Sequence, residues 1–512
     1  MNIQPSPLGT QQFGYADLLA RNAQVYAEGL ALTGEFADIT HAQLYVQSKR
    51  MAHALSKYGV QPGDRVAMLC SNRPEWFVLL GAVAHLGAML IVLNTRAQAD
   101  ELLMVLEDSQ PVLLITEASF ETIFQVVQSN LNFAMLSLSL DGATPSLVSF
   151  GNWRIGSDEP IPNSGAPTSN FLGIPTAAVT GRPQVAVLSH ASVMAQALQL
   201  AQVWTLDREA VHLAVLPLFH IAGLGMAIAT QSVGGSSVLM SSFDAAKAVD
   251  LIQKHKVTFF ATFSPMLEAV LDATQDPEKA LGSLRFLMGL ESASTIERFE
   301  RSLASAHFWI GYGQTETGGP VSLSRFTEQP GAAGSALPLV TLSIKADGAN
   351  QTGEILVRSP SVFDGYWDPD TKAPRNSASG TFNQWHHTGD LGRIDYRGML
   401  WFEGRMPNKA LIKTGGENVY PLEVEKAISA HPAIEDSVVF GVPDEQWGEA
   451  VVAVCVCRAG HVCLSSELRD FVATRISKFK RPKHVLFMEN IPSLKDGTPD
   501  IEALRRAFTR MD

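Results

Sequence analysis

Phe308-Trp309-Ile310-Gly311-Tyr312-Gly313-Gln314-Thr315-Glu316-Thr317-Gly318 is the stretch from which the rest of the chain is read. Three apolar residues form a buried strand, and the glycine-flanked polar run after them forms the turn at its end. Outward from it the same texture recurs. Residues 41–59 are helical in period, and Gly59 with Pro62-Gly63-Asp64 makes a turn. Residues 65–70 then read as a strand, 74–86 as a helix, 90–93 as a strand, 97–106 as a helix and 112–115 as a strand. Residues 141–170, rich in Gly, Ser, Pro and Asn, read as a loop. Residues 185–345 alternate again, with a helix end and strand at 255–260. Alternation of this kind predicts α/β layers. From about residue 350 shorter strands and turns take over, as in Gly353-Glu354-Ile355-Leu356-Val357.

A chain of 512 residues exceeds one core, so two or more domains are expected. With 46% hydrophobic and 18% charged residues, a large core is available. The net charge of −12 argues against a nucleic-acid partner held by a general basic surface. Cys70, Cys455, Cys457 and Cys463 show no paired zinc spacing; Cys455 and Cys457 alternate within an apolar run and read as strand residues. Reduced thiols and an N-terminus without a basic segment followed by an apolar one point to a cytoplasmic protein. The apolar run 76–93 holds His85 and several small residues, which favours a buried helix and strand over a membrane span.

Residue chemistry gives the motifs a direction. Tyr312 between Gly311 and Gly313 can lay its ring on a purine, because bare backbone lets the base come close. Thr315 can donate to a phosphate, and Glu316 offers the oxygen that Mg²⁺ prefers. By residue type alone the run also suits a plain polar turn. In His387-Thr388-Gly389-Asp390 a carboxylate after a glycine turn can accept both hydroxyls of a ribose; a strand-ending turn would look the same.

Together with Thr40-His41-Ala42-Gln43-Leu44, Gly63-Asp64-Arg65-Val66, Pro217-Leu218-Phe219-His220-Ile221-Ala222-Gly223, Gly415-Gly416-Glu417-Asn418-Val419-Tyr420-Pro421 and Lys480-Arg481-Pro482-Lys483, these motifs resemble the adenylate-forming acyl-CoA synthetases over nearly the whole chain. The resemblance implies an α/β fold with a large, multi-subdomain N-terminal domain and a small α+β C-terminal domain joined by a hinge. The boundaries expected are 1–404, 405–412 and 413–512. It also implies two half-reactions: ATP and a carboxylate give acyl-AMP and pyrophosphate, then the CoA thiol displaces AMP. By position, Tyr312 would contact adenine, Thr315 the α-phosphate, Glu316 a Mg²⁺, Asp390 the ribose, and Arg405 the ribose or phosphate region. His220 would stand at the mouth of the acyl pocket, with Lys413, Gly415 and Gly416 lining the CoA approach. Trp447 would pack on the pantetheine arm or shield the domain surface.

The chain departs from the family at the phosphates. The family's loop resembles Thr-Ser-Gly-Thr-Thr-Gly-x-Pro-Lys-Gly; here Ala177, Ala178, Val179, Gln184 and Val185 replace Ser, Gly, Thr, Lys and Gly. Hydroxyl donors and a cation are lost, and β-carbons appear where bare backbone would wrap an anion. Thr498 stands where the C-terminal catalytic lysine follows Gly497, with Lys495 nearby. Met406-Pro407-Asn408-Lys409-Ala410 replaces the hinge's Lys-Asp pair, Pro407 stiffening it, and Glu291 falls where small residues usually flank the nucleotide.

Both missing lysines serve adenylation, while the adenosine and CoA motifs persist. The expectation is thioester formation from an acyl-adenylate and CoA, with adenylation weakened or lost. The partners are then acyl-AMP and CoA, with room for a separate adenylating enzyme, and ATP and Mg²⁺ enter only if adenylation is retained. A complete ATP-dependent synthetase with Lys495 or Lys480 rewired to the phosphates is the alternative, and a non-catalytic acyl-nucleotide binder a third.

Overall fold

A computed structural model describes residues 13–151, 153, 169–176, 182–346, 351–375, 385–406, 411–444, 446–494 and 499–509. Among these residues the strands form three sheets. The largest begins as a parallel sheet, where Leu30–Gly34, Ser236–Leu239, Val211–Ala214, Phe259–Phe263, Phe286–Leu290 and His307–Gln314 run side by side. It continues antiparallel through Gly319–Arg325 to the strands His386–Ile394 and Met399–Arg405. The second sheet carries Arg65–Leu69, Met89–Val92, Leu113–Thr116 and Asn170–Thr176 in parallel. The third belongs to the C-terminal part, from Ile412–Thr414 to His484–Phe487.

Helices and strands of both large sheets share one hydrophobic core. Glu75–Leu86 is buried along its whole length, Gly87 ends it in the left-handed region (φ 68°), and Met89–Val92 follows as a buried strand. The apolar run 76–93 is therefore helix plus strand, and no described helix is long and apolar enough to cross a membrane. His41–Lys57 starts at a reciprocal cap in which Thr40 and Gln43 each bond the other's backbone N–H. The four cysteines are free, and Cys455 and Cys457 lie in the strand Gly448–Cys457.

Three readings need correction. The helix expected over 97–106 is Ala99–Ser109, because Glu101 reaches back to the Gln98 N–H and sets the start there. The loop expected over 141–170 contains the strand Val148–Ser149, flanked by buried Leu147 and Phe150. The strand at 308–310 continues to Gln314, so Gly311, Tyr312 and Gly313 are paired strand residues. A β-carbon on Gly311 would meet the Ser322 carbonyl oxygen at 2.4 Å, and one on Gly313 the Gly319 oxygen at 2.2 Å. Close approach of the neighbouring strand alone therefore requires both glycines.

Candidate functional site

Four parallel strands of the large sheet end on one edge, and ligands in such sheets bind outside the carboxyl ends. Val211–Ala214 leads to His220, Phe259–Phe263 to Ser264, Phe286–Leu290 to Glu291, and His307–Gln314 to Thr315. The edge gathers residues spread along the chain from 220 to 315.

Beside this edge, Asp390 is the centre of a buried polar cluster. Its Oδ2 accepts from the Tyr312 hydroxyl at 2.7 Å and from Gln314 Nε2 at 2.6 Å. Gln314 Nε2 also donates to the Thr388 carbonyl at 3.0 Å. Strand register delivers the fourth member, since Asp390 pairs with Arg405, whose Nε stands 3.5 Å from Oδ1. That Oδ1 is buried without a hydrogen-bond donor, an orphan acceptor of the sort a sugar hydroxyl would satisfy. Arg405 also donates to the Leu411 carbonyl at 3.1 Å, and its guanidinium lies over the Phe402 ring. Tyr312 stacks on that same ring (6.1 Å, 27°). Burial pushes the Tyr312 phenol well up, so it stays a neutral donor.

Thr315 and Glu316 form the short helical turn after the strand, and Gly318 (φ 75°) closes it. The Glu316 side chain is buried and accepts from the Tyr366 hydroxyl at 2.7 Å. It is a hard oxygen ligand of the kind Mg²⁺ takes singly alongside substrate phosphates. Among the described residues no group of three or more His, Cys, Asp or Glu is arranged to hold a metal.

The phosphate-loop positions look different. Ala177 to Gly181 lie outside the described residues, as do Pro407 to Ala410, Lys495 and Thr498. Gln184 opens the strand Gln184–Ser189 opposite Thr176, whose hydroxyl donates to the Gln184 carbonyl. Arg182, the one cation between residues 176 and 184, is engaged by a carboxylate. Its Nε and Nη2 grip the two oxygens of Asp108 at 3.0 and 2.7 Å.

His220 caps the helix Ile221–Ser232 without a side-chain bond, which leaves its ring to the cleft. Asn72 holds the preceding segment, donating to the Ala214 and Leu216 carbonyls and accepting from the Leu218 N–H. The His220 Nε2 meets Glu417 Oε2 at 3.2 Å, and Arg96 Nη1 meets Glu417 Oε1 at 2.5 Å. Burial raises the Glu417 carboxyl, but His220 and Arg96 more than offset this and bring it down to about 2. An ionised carboxylate only accepts, so Nε2 carries the proton.

Glu417 opens the strand Glu417–Val419 of the small sheet, paired with Thr414 across the turn that follows Ile412–Thr414. Gly415 (φ 57°) and Gly416 (φ 81°) make that turn. A β-carbon on Gly416 would strike Phe263 at 2.7 Å, and one on Gly415 would meet the Trp447 ring at 2.8 Å. Gly415 N–H donates to the Trp447 carbonyl at 2.9 Å, and Trp447 remains 40% exposed, able to receive a ligand on its ring. Ser264 Oγ donates to the Gln446 carbonyl at 3.2 Å. Lys413 is exposed on the same strand, its N–H bonded to Glu449.

Sequence reading missed Glu417, Arg96, Gln314 and Tyr366 as site members. Glu417 and Gln314 sit inside quoted motifs and were open to recognition; Arg96 and Tyr366 carry no local signal. Lys480 corrects an expectation. It is buried between Glu101 and Glu423 (2.5 and 2.6 Å), so in this arrangement it supplies no charge to a phosphate. Glu291 accepts from the Thr262 hydroxyl and the Leu267 N–H, and burial raises its carboxyl.

Residues 19–367 match the family of AMP-binding enzymes, and 423–497 match the AMP-binding enzyme C-terminal domain. An indoleacetate–CoA ligase of Aromatoleum aromaticum is 32% identical over 488 residues, covering 92% of this chain and 94% of the relative. The o-succinylbenzoate CoA synthetase of Bacillus subtilis, as a double mutant bound to a product analogue, superposes with TM-score 0.83 at 27% identity, over 96% of this chain and 98% of that one. The same synthetase with its acyl-adenylate intermediate gives TM-score 0.67 at 27% identity, over 95% and 97%. Motif order, a large α/β domain followed by a small one, and these matches agree: the chain belongs to the AMP-binding enzymes, within their acyl- and aryl-CoA ligases.

Proposed function

We propose that this ligase is specialised for the second half-reaction, forming an acyl-CoA thioester from an acyl-adenylate and CoA, with adenylation weakened or lost. The observation that carries the reading is the seating of the Gly415-Gly416-Glu417 turn against Phe263 and His220. That turn, with Lys413 and Trp447, would line the path of the CoA thiol. The better superposition on the product-analogue complex than on the acyl-adenylate complex of one and the same synthetase supports this arrangement. Residues 1–404 would form the large domain, 405–412 the hinge and 413–512 the small domain.

In this reading Tyr312 and Asp390 hold the adenosine, Arg405 the ribose or phosphate, and Thr315 the α-phosphate. Glu316 would hold a Mg²⁺, whose chemistry is neutralisation of phosphate charge. The transfer needs mainly position: the thiol aligned on the acyl carbonyl, with AMP as the leaving group. His220 stands at the acyl mouth with its ring fixed by Glu417. The pyrophosphate side is short of charge, because Arg182 is bound to Asp108 and Gln184 replaces a lysine. An oriented donor at a developing charge contributes about 3–4 kcal/mol of barrier, so two missing lysines would slow adenylation severely.

Purified protein given acyl-AMP and CoA should release acyl-CoA. The same protein given ATP, Mg²⁺, CoA and the matching carboxylate should release almost no pyrophosphate. Brisk pyrophosphate release would instead establish a complete ATP-dependent ligase, the reading favoured by relatives whose names denote CoA ligases.

A further inference from the structure

A second contact crosses between the two parts of the molecule, away from the reacting groups. Glu101 lies in the first turn of Ala99–Ser109, in the large part. Its Oε2 accepts from the Gln98 N–H (2.7 Å) and from the Ser477 hydroxyl (2.7 Å), and its Oε1 pairs with Lys480 Nζ at 2.5 Å. Lys480 also pairs with Glu423 Oε1 at 2.6 Å. Glu101 and Glu423 are 5% exposed and Lys480 7%. Ser477, Lys480 and Glu423 all belong to the small part. Five residues before Glu101, Arg96 reaches Glu417. One short segment of the large part therefore meets the small part twice, once at the catalytic turn and once at this cluster.

We infer that Glu101 is a positioning residue for thioester transfer: its buried contact with Lys480 and Ser477 holds the small domain where the Gly415–Gly416 turn faces the acyl site. This rests on the thioester reading above.

The arrangement suits a contact that must release. A buried ion pair recovers little more than its desolvation cost, and so serves registry better than adhesion. Lys480 has a second carboxylate, Glu423, in its own domain. When the domains part, the lysine stays paired, Glu101 keeps the Gln98 N–H, and water satisfies the rest. Opening thus exposes no lone charge to an apolar surface. Closing adds two hydrogen bonds with fixed directions, which specify one rotation of the small domain over others.

Glu101→Gln tests this in the full-length protein. Glutamine still accepts from Gln98, and the Lys480–Glu423 pair stays intact, so both domains should fold. Turnover of supplied acyl-AMP and CoA should fall at least tenfold in kcat. Affinity for a non-hydrolysable acyl-sulfamoyl-adenosine, bound by the large domain, should stay within twofold. Hydrogen exchange of the 476–483 backbone should quicken at least tenfold. Unchanged kcat with unchanged exchange would overturn the inference, as would an equal loss of analogue affinity, which would signify general damage. If wild-type protein makes no thioester at all, the functional reading fails while the exchange comparison still decides the contact.

Discussion

The proposed adenosine cradle and the seam between the two domains are both built around carboxylates, but in opposite ways. Around Asp390, neutral donors from Tyr312 and Gln314 converge within one sheet, and strand register sets the distance to Arg405. At the seam, Glu417 and Glu101 face cations that no strand pairing holds: Arg96 lies 321 positions from Glu417, and Lys480 379 positions from Glu101. The cradle is part of the sheet and would persist in any rotation of the small domain. The seam would exist only in the rotation of this structure. In the function proposed above, a rigid nucleotide site and a removable lid of charges would serve to admit CoA to a bound acyl-adenylate.

The largest effect should come from taking the cation out of the seam. Lys480→Met leaves Glu101 and Glu423 buried together without a counter-charge. Breaking a buried pair from one side costs about 3–5 kcal/mol, and urea unfolding should show a loss of that order. Replacing both carboxylates by glutamine in the same background should recover most of it. If the single variant is as stable as the wild type, the seam is wetter than its burial indicates and the contrast with the cradle weakens.

Gly416→Ala acts where the seam meets the chemistry. Alanine at φ 81° is strained, and its β-carbon would sit 2.7 Å from Phe263. Backbone strain of this type costs on the order of 1–3 kcal/mol in any pose, and the contact with Phe263 adds a penalty that falls on the closed pose alone. Thioester formation from acyl-AMP should drop about 10- to 100-fold with analogue binding unchanged. A variant that loses analogue binding instead would place the turn in the adenosine site.

The same contrast explains what could be read from the chain. Buried parallel strands announce themselves as apolar runs, so Arg65–Leu69 and Met89–Val92 fall within a residue of expectation. The glycines of 311–313 were legible as a need for bare backbone, but the neighbour they make room for is the strand Gly319–Arg325. The start of Ala99–Ser109 was misplaced because the Glu101 cap is a side-chain bond that hydrophobic period does not report. Tyr312 and Asp390 lie in contiguous motifs, and the structure brings them together; Gln314, inside the first of those motifs, carries no signal that sets it apart. The seam was not legible, since ion pairs hundreds of residues apart leave no local pattern. Lys480 looked like a spare charge until its two partners were visible.

Within the cradle, Asp390→Asn keeps the shape and removes the charge toward which Tyr312, Gln314 and Arg405 point. Hydrogen bonds to charged groups contribute about 1.5–3 kcal/mol. Affinity for AMP should fall about 10- to 100-fold by calorimetry, and kcat at saturating acyl-AMP should change less. An unaltered affinity would mean that the orphan Oδ1 receives no sugar hydroxyl.

The smallest effect is a pH dependence at the seam. Glu417 titrates at about 2 in the folded protein, against 4.5 ordinarily. A depressed carboxyl contributes stability that is fully present above 4.5 and is lost as pH falls toward 2. Converted in full, that displacement amounts to about 3 kcal/mol. Arg96 and His220 are 51% and 38% exposed, and screening reduces it to about 1–2 kcal/mol. Urea unfolding between pH 5 and 2 should therefore be less steeply pH-dependent in Glu417→Gln than in the wild type, with the stability difference largest at pH 5 and closing toward pH 2. Parallel curves would mean that the carboxylate gains nothing from His220 and Arg96. The turn would then be held over the acyl site by Gly416 packing on Phe263 and by the Glu101 contact alone.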